Sequence, residues 1–169
     1  MSEFLENARD FCIMAHADQR RKYTGLPYYE HCFEVANLVA GVTNDNAVIA
    51  AAFMHDVIED TPFGFNDIRL AFGDRVAKLV FEVTDVSVPE DGNRRVRKLI
   101  DQAHLSESSP EGATIKLADI ISNTQDIMQH DPNFAKVYLK EKRALLPLLL
   151  HGNKKLWAEA NAIVNGVAA

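Results

Sequence analysis

The chain has 169 residues, 47% of them hydrophobic and 25% charged, with a formal net charge of −6. That length fits one domain with a substantial core and leaves no room for a second catalytic domain, while the composition excludes extended disorder. The acidic balance excludes broad nucleic-acid binding, which rests on many phosphate-neutralising cations.

In chain order, Glu3–Arg21 sets Phe4, Leu5, Ala8, Phe11, Cys12 and Ala15 at three- and four-residue intervals, which predicts an amphipathic helix with a cationic end. Arg20-Arg21-Lys22 then runs into a loop marked by Gly25 and Pro27. Helical periodicity resumes over Tyr29–Val42, with His31 in the opening turn and Gly41 at the end. Asn44-Asp45 caps a third helix whose Ala47–Met54 run is apolar on every side, the pattern of a buried bundle centre. This helix carries His55 and Asp56 and closes at Pro62 and Gly64.

A short helix over Asp67–Phe72 and a longer one over Asp74–Thr84 precede a loop at Ser87–Gly92. Asn93–His104 is helical and cationic through Arg94, Arg95, Arg97 and Lys98, a charge run that reads first as a solvated face. Ser109-Pro110-Glu111 has the form of a helix start with proline at the first helical position and introduces a helix over Ala113–Gln129. Asp131-Pro132 starts another, Asn133 to about His151, which Pro147 should kink or end. Gly152-Asn153 separates it from a last helix, Lys154–Val164. Strand signals are scarce, so residues 1–169 read as one all-α domain, a helical bundle.

The N-terminus, Met1-Ser2-Glu3-Phe4-Leu5-Glu6, lacks the basic-then-apolar layout of a secretory signal. The longest apolar runs, Ala47–Met54 and Ala144–Leu150, fall short of the roughly 20 residues that span a bilayer. Cys12 and Cys32 form no C-x-x-C pair and no disulfide framework. A cytoplasmic location with no membrane partner is the expectation.

Chemistry concentrates in Phe53-Met54-His55-Asp56-Val57-Ile58-Glu59-Asp60. If the helix continues through it, His55 stacks with Glu59 and Asp56 with Asp60, four potential metal-site side chains on little more than one turn. Such a cluster is costly to bury without a cation, so the rest of a metal site is sought elsewhere. His31 on the second helix and Asp119 within Leu117-Ala118-Asp119-Ile120-Ile121 are the candidates. Two imidazoles and two carboxylates suit Mn²⁺, Fe²⁺ or Zn²⁺ better than an all-oxygen Ca²⁺ site, and a set without thiolate is unlike structural zinc. Taken singly, each residue also has a structural reading; Asp119 alone reads equally as a buried carboxylate satisfied by an arginine.

His31, the His55-Asp56 pair and Asp119 match the H…HD…D pattern, and the chain thereby resembles the HD-domain metal-dependent phosphohydrolases, an all-α superfamily. Ala15-His16-Ala17-Asp18-Gln19-Arg20-Arg21-Lys22, Pro27-Tyr28, Glu34-Val35-Ala36, His55 through Thr61, and Lys116-Leu117-Ala118-Asp119 through Asn123 narrow the resemblance. They are similar to the hydrolase domain of the RelA/SpoT family, and the chain's length to that of the stand-alone small alarmone hydrolases. The resemblance runs from about Phe4 to Tyr138. It implies removal of the 3′-pyrophosphate of (p)ppGpp, with a small guanine nucleotide as partner. It implies His31, His55, Asp56 and Asp119 as Mn²⁺ ligands, and Glu59 and Asp60 as the groups that activate or orient water. It further implies Arg21 against guanine, Lys22 on phosphate, and Asn123 and Tyr138 on the nucleoside. His16 stands where the family has an early histidine and is read as a hydrogen-bonded core residue outside the metal set.

Two departures remove positive charge. Thr124-Gln125-Asp126 follows Asn123 where the family continues with leucine and arginine, and Phe134 replaces a basic residue one turn before Tyr138. Lys136 or Lys140 is the candidate replacement for that charge. The competing readings are a phosphohydrolase for another nucleotide, such as a nucleoside monophosphate or NADPH, since a metal site does not choose its substrate, and a non-catalytic, metal-stabilised binding module.

Overall fold

The computed structural model describes residues 2–166, and they are helical, as the periodicity predicts. Among the described residues there is no β-strand, only one isolated antiparallel bridge, Arg20 to Pro27. The chain divides into two compact units, Met1–Thr84 and Asp85–Ala169.

The first unit holds α1 (Glu3–Ala15), α2 (Tyr29–Ala40), α3 (Asn46–Phe53), α4 (Val57–Asp60), α5 (Phe65–Phe72) and α6 (Asp74–Val83). Asp45 caps α3 by accepting from the Ala47 amide at 3.0 Å, which satisfies one of the amides left open at a helix start. The apolar run that follows is enclosed as predicted: α1, α2 and α6 pack against α3, and Ala50, Ala51, Ala52 and Met54 have no exposed surface. Alanine on the side facing a neighbour lets helix backbones approach closely, so α3 becomes the rod around which this unit is wrapped.

Two boundaries differ from the sequence reading. α1 ends at Ala15 rather than Arg21, and residues 16–28 form a loop laced by backbone bonds from Arg21 N–H to Leu26 O (2.8 Å) and from Tyr28 N–H to Gln19 O (3.0 Å). Gly25 turns this loop at φ +70°, a value that a side chain with a Cβ rarely adopts. The second difference lies in the central stretch. α3 stops at Phe53, Met54 (φ −111°, ψ 10°) leaves helical geometry, and a turn through Asp56 (φ −100°, ψ 0°) leads into α4.

The second unit holds α7 (Arg94–Ser106), α8 (Pro110–His130), α9 (Pro132–Leu145) and α10 (Lys154–Asn165), with single 3-10 turns at Pro89–Asp91 and Leu146–Leu149. Ser109 caps α8 through the Gly112 amide, with Pro110 at its first position. α8 is buried almost without interruption from Gly112 to Thr124, flanked by α9 and α10. Pro147 ends α9 as expected, and the Leu146 carbonyl just before it accepts from Trp157 Nε1 at 2.9 Å. The turn into α10 touches α8 closely. A Cβ on Gly152 would lie 2.8 Å from Leu117 Cδ1 and 3.1 Å from the Ala113 carbonyl carbon.

Candidate active site

The break between α3 and α4 brings His55 and Asp56 together. On a continuous helix neighbouring side chains point about 100° apart and do not meet; here His55 Nε2 lies 2.9 Å from Asp56 Oδ2. His31, from the first turn of α2, adds its Nε2 at 3.6 Å from the same oxygen. His31 and His55 are each 1% exposed, and their rings meet edge to face at 5.1 Å. The potential ligand atoms of His31, His55 and Asp56 all lie within 4.8 Å of one another.

Protonation chemistry shows that this set fits a cation. His55 Nδ1 sits 3.0 Å from the Ala52 carbonyl, which can only accept, so Nδ1 carries the proton and Nε2 presents its lone pair. With the imidazole neutral, that lone pair faces a carboxylate oxygen 2.9 Å away, a pair of donors that a cation can bridge. A backbone carbonyl orienting a histidine in this way is the usual support behind a metal-ligating imidazole.

Tyr28 closes the group from the loop. Its hydroxyl donates to Asp56 Oδ2 at 2.7 Å, and burial, with the charges of Asp56 and Asp60 adding, raises its pKa far above the ordinary tyrosine value. It therefore stays a donor. Glu59 and Asp60 lie on α4 and are both exposed. Asp60 accepts from Gln19 Nε2 at 2.9 Å. Desolvation by the surrounding protein pushes its pKa up, Asp56 adds to this, and the Gln19 bond opposes it. Gln19 in turn accepts from His16 Nδ1 at 2.7 Å, so His16 is the buried, hydrogen-bonded histidine that the sequence suggests. Arg21 extends from the same loop with its guanidinium 6.0 Å from the Tyr28 ring centroid, while Lys22 is exposed with Nζ 4.8 Å from the Tyr23 ring.

In the second unit, α8 carries Asp119, which is 5% exposed. Both of its oxygens are held by its own helix: Lys116 Nζ lies 3.0 Å from Oδ2, and Asn123 Nδ2 donates to Oδ1 at 2.5 Å. A buried carboxylate is thereby paired with a lysine amine and oriented by an amide. Lys116, not arginine, is the partner.

Tyr138 on α9 is buried at 8% exposure, and its pKa is raised by burial, with Asp119 next in effect. The Lys142 ammonium lies 4.9 Å from the Tyr138 ring centroid. Burial and the neighbouring Lys116 push Lys142 down to about 8, against the pull of Asp119. Lys142 thus supplies a cation beside Tyr138, whereas Lys136 and Lys140 are exposed. Phe134 holds the Arg94 guanidinium 5.4 Å from its ring centroid, and Thr124 is fully buried with its hydroxyl bonded to Ile120 O at 2.5 Å. Much of the cationic run on α7 is paired: Arg94 forks onto Glu141 at 2.7 and 2.8 Å, and Lys98 meets Asp85 and Asp101.

Sequence reasoning passes over Tyr28, Gln19, Lys116 and Lys142 as site residues. Lys116 and Lys142 carry a signal, standing three residues before Asp119 and four after Tyr138. The bonds of Tyr28 and Gln19 span 28 and 41 residues and leave no trace in local spacing.

Residues 8–142 match the HD domain family model. The chain belongs to the HD-domain family. Its relatives there include the guanosine-3′,5′-bis(diphosphate) 3′-pyrophosphohydrolase MESH1 of Homo sapiens, 38% identical over 133 residues that cover 76% of this chain and 72% of that protein. The Drosophila melanogaster MESH1 is 34% identical, covering 78% of this chain and 73% of its own length. A guanosine-3′,5′-bis(diphosphate) 3′-pyrophosphohydrolase of Aquifex aeolicus is 32% identical over 89% of this chain and 21% of that longer protein. Among solved structures, a metazoan ortholog of SpoT described as hydrolyzing ppGpp superposes with a TM-score of 0.88 at 28% identity, covering 98% of this chain and 96% of that one. Among the described residues no helix is long and apolar enough to cross a membrane.

Proposed function

We propose that this chain is a Mn²⁺-dependent (p)ppGpp 3′-pyrophosphohydrolase. The observation that carries the reading is the buried group of His31, His55 and Asp56, with His55 Nδ1 against Ala52 O and its Nε2 turned toward the Asp56 carboxylate. The names of its relatives supply the substrate.

His31, His55 and Asp56 would hold the ion, with Asp119 keeping the fourth-ligand role that the sequence motif implies. When bound, a divalent ion lowers the pKa of coordinated water and offsets charge growing on phosphoryl oxygens. The protein's own residues do the rest. The Tyr28 hydroxyl fixes Asp56, and Gln19 fixes Asp60. Glu59 or Asp60 takes a proton from the attacking water, an assignment favoured by their exposure and by the raised pKa of Asp60.

Water adds to the phosphorus bonded to the 3′ oxygen, the bond to that oxygen breaks, and the 3′ oxygen takes up a proton. GDP or GTP and pyrophosphate are the products. The Arg21 guanidinium offers a flat cation for a purine face, Lys22 a point charge for phosphate, and Asn123 and Tyr138 bind the nucleoside. Lys116 is a positioning residue that pairs with Asp119.

Incubation of the protein with ppGpp and Mn²⁺, with products separated by anion exchange, tests the reading. Pyrophosphate and GDP in equal amounts are expected, and their loss with EDTA or in His55→Ala. Release of orthophosphate would instead assign the chain to another nucleotide, and a metal-loaded protein that leaves ppGpp intact would make it a binding module.

A further inference from the structure

The first unit contains a second group of ligand-type side chains that the proposed hydrolysis does not use. Cys12 and His16 stand four residues apart on α1 and its C-terminal cap, so they share a face, and Cys32 comes from α2. The two sulfurs and a ring nitrogen of His16 all lie within 4.8 Å of one another. Cys12 and Cys32 have no exposed surface and His16 is 1% exposed.

The hydrogen bonds decide which nitrogen is available. Asp60 accepts from Gln19 Nε2, which turns Gln19 Oε1 toward His16 Nδ1. Nδ1 must then carry the proton, and Nε2 keeps a lone pair. Among the described residues His16 Nε2 is fully buried and has no hydrogen-bond partner. Buried polar atoms are ordinarily satisfied, and a neutral imidazole whose other nitrogen is held by an acceptor is prepared as a metal ligand.

We propose that Cys12, His16 and Cys32 form a second metal site, taking a thiophilic d¹⁰ cation, Zn²⁺ or Cu⁺. Two thiolates and one imidazole are the donor set such ions prefer over oxygen ligands. Each cysteine gives its proton to solvent as the ion enters, so with Zn²⁺ the buried site carries no net charge. The contrast with the oxygen- and nitrogen-rich group at His31, His55 and Asp56 lets one protein sort two kinds of ion. The proposal does not depend on what substrate the chain hydrolyses.

Because only thiolate ligands give an intense near-ultraviolet charge-transfer band with Co²⁺, that ion reads this site and not the other. Metal-free, fully reduced protein is titrated anaerobically with Co²⁺, and then with Zn²⁺ or Cu⁺ as competitor; the ion that bleaches the band at one equivalent is the preferred one. The band is expected to saturate at one thiolate-bound Co²⁺ per chain, to persist in His55→Ala, to disappear in Cys12→Ser and Cys32→Ser, and to need at least tenfold more Co²⁺ in His16→Phe. A wild-type protein folded by circular dichroism that shows no thiolate band overturns the proposal whatever the variants do, as does a band that survives both cysteine substitutions.

Discussion

His55 and Asp56 are consecutive residues, yet His55 Nε2 and Asp56 Oδ2 are 2.9 Å apart. The contact exists because α3 ends one residue before Met54 and α4 starts one residue after Asp56. Asp56→Asn keeps the shape of the group and removes its charge. Turnover is expected to fall by about 10³-fold or more, since metal-assisted stabilisation of phosphoryl charge contributes several kcal/mol. Isothermal titration with Mn²⁺ alongside kinetics checks this; tight Mn²⁺ binding with full activity would remove Asp56 from the site.

Tyr28→Phe deletes the hydroxyl that donates to Asp56 at 2.7 Å and little else. Partners behind metal ligands typically contribute about 10- to 100-fold in affinity or activity. The expected outcome is a rise of that size in the Mn²⁺ concentration for half-maximal activity, with near-normal kcat at saturating metal. An unchanged metal requirement would show that Asp56 needs no such support.

Lys142 gives a pH signature. Its folded pKa of about 8 lies below the ordinary 10.5, so between these values the unfolded chain binds the proton and the folded chain does not. Stability therefore rises as pH increases from about 8 toward 10.5, and the penalty for a charged Lys142 is fully present below 8. Lys142→Met should raise Tm relative to the parent at pH 7, with the gain shrinking above pH 8. A gain that is constant from pH 6 to 10 would contradict the shift.

Gly152→Ala places a methyl group 2.8 Å from Leu117 and 3.1 Å from the α8 backbone. Overpacking of this kind costs about 1–3 kcal/mol, a fall in Tm of roughly 2–12 °C for a chain of this size. Scanning calorimetry reads it, and an unchanged Tm would mean that the turn into α10 can retreat from α8.

Much of the helical layout was legible because it rests on local rules. The α2 and α6 spans follow from apolar periodicity, the α8 start from Ser109-Pro110, and the end of α9 from Pro147. The metal group was half legible, since the residue types stand out while their convergence depends on a helix break with no glycine or proline to announce it. Met54 is fully buried, and tertiary packing rather than backbone preference sets the break there. The end of α1 at Ala15 is similar, for apolar spacing runs on and the competing signal is the backbone pairing of residues 19–28. Cys12, His16 and Cys32 escaped notice because their spacing follows no short motif and two helices must fold before they meet.

Trp157 is the only tryptophan in the chain, and its indole N–H is tied to the Leu146 carbonyl at the end of α9. Its emission is therefore a natural optical reporter for residues 85–169 and silent for the half that holds His31 and His55. Comparing denaturation followed by this fluorescence with denaturation followed by helical ellipticity would tell, without any label, whether the two halves melt as one cooperative block or in separate steps.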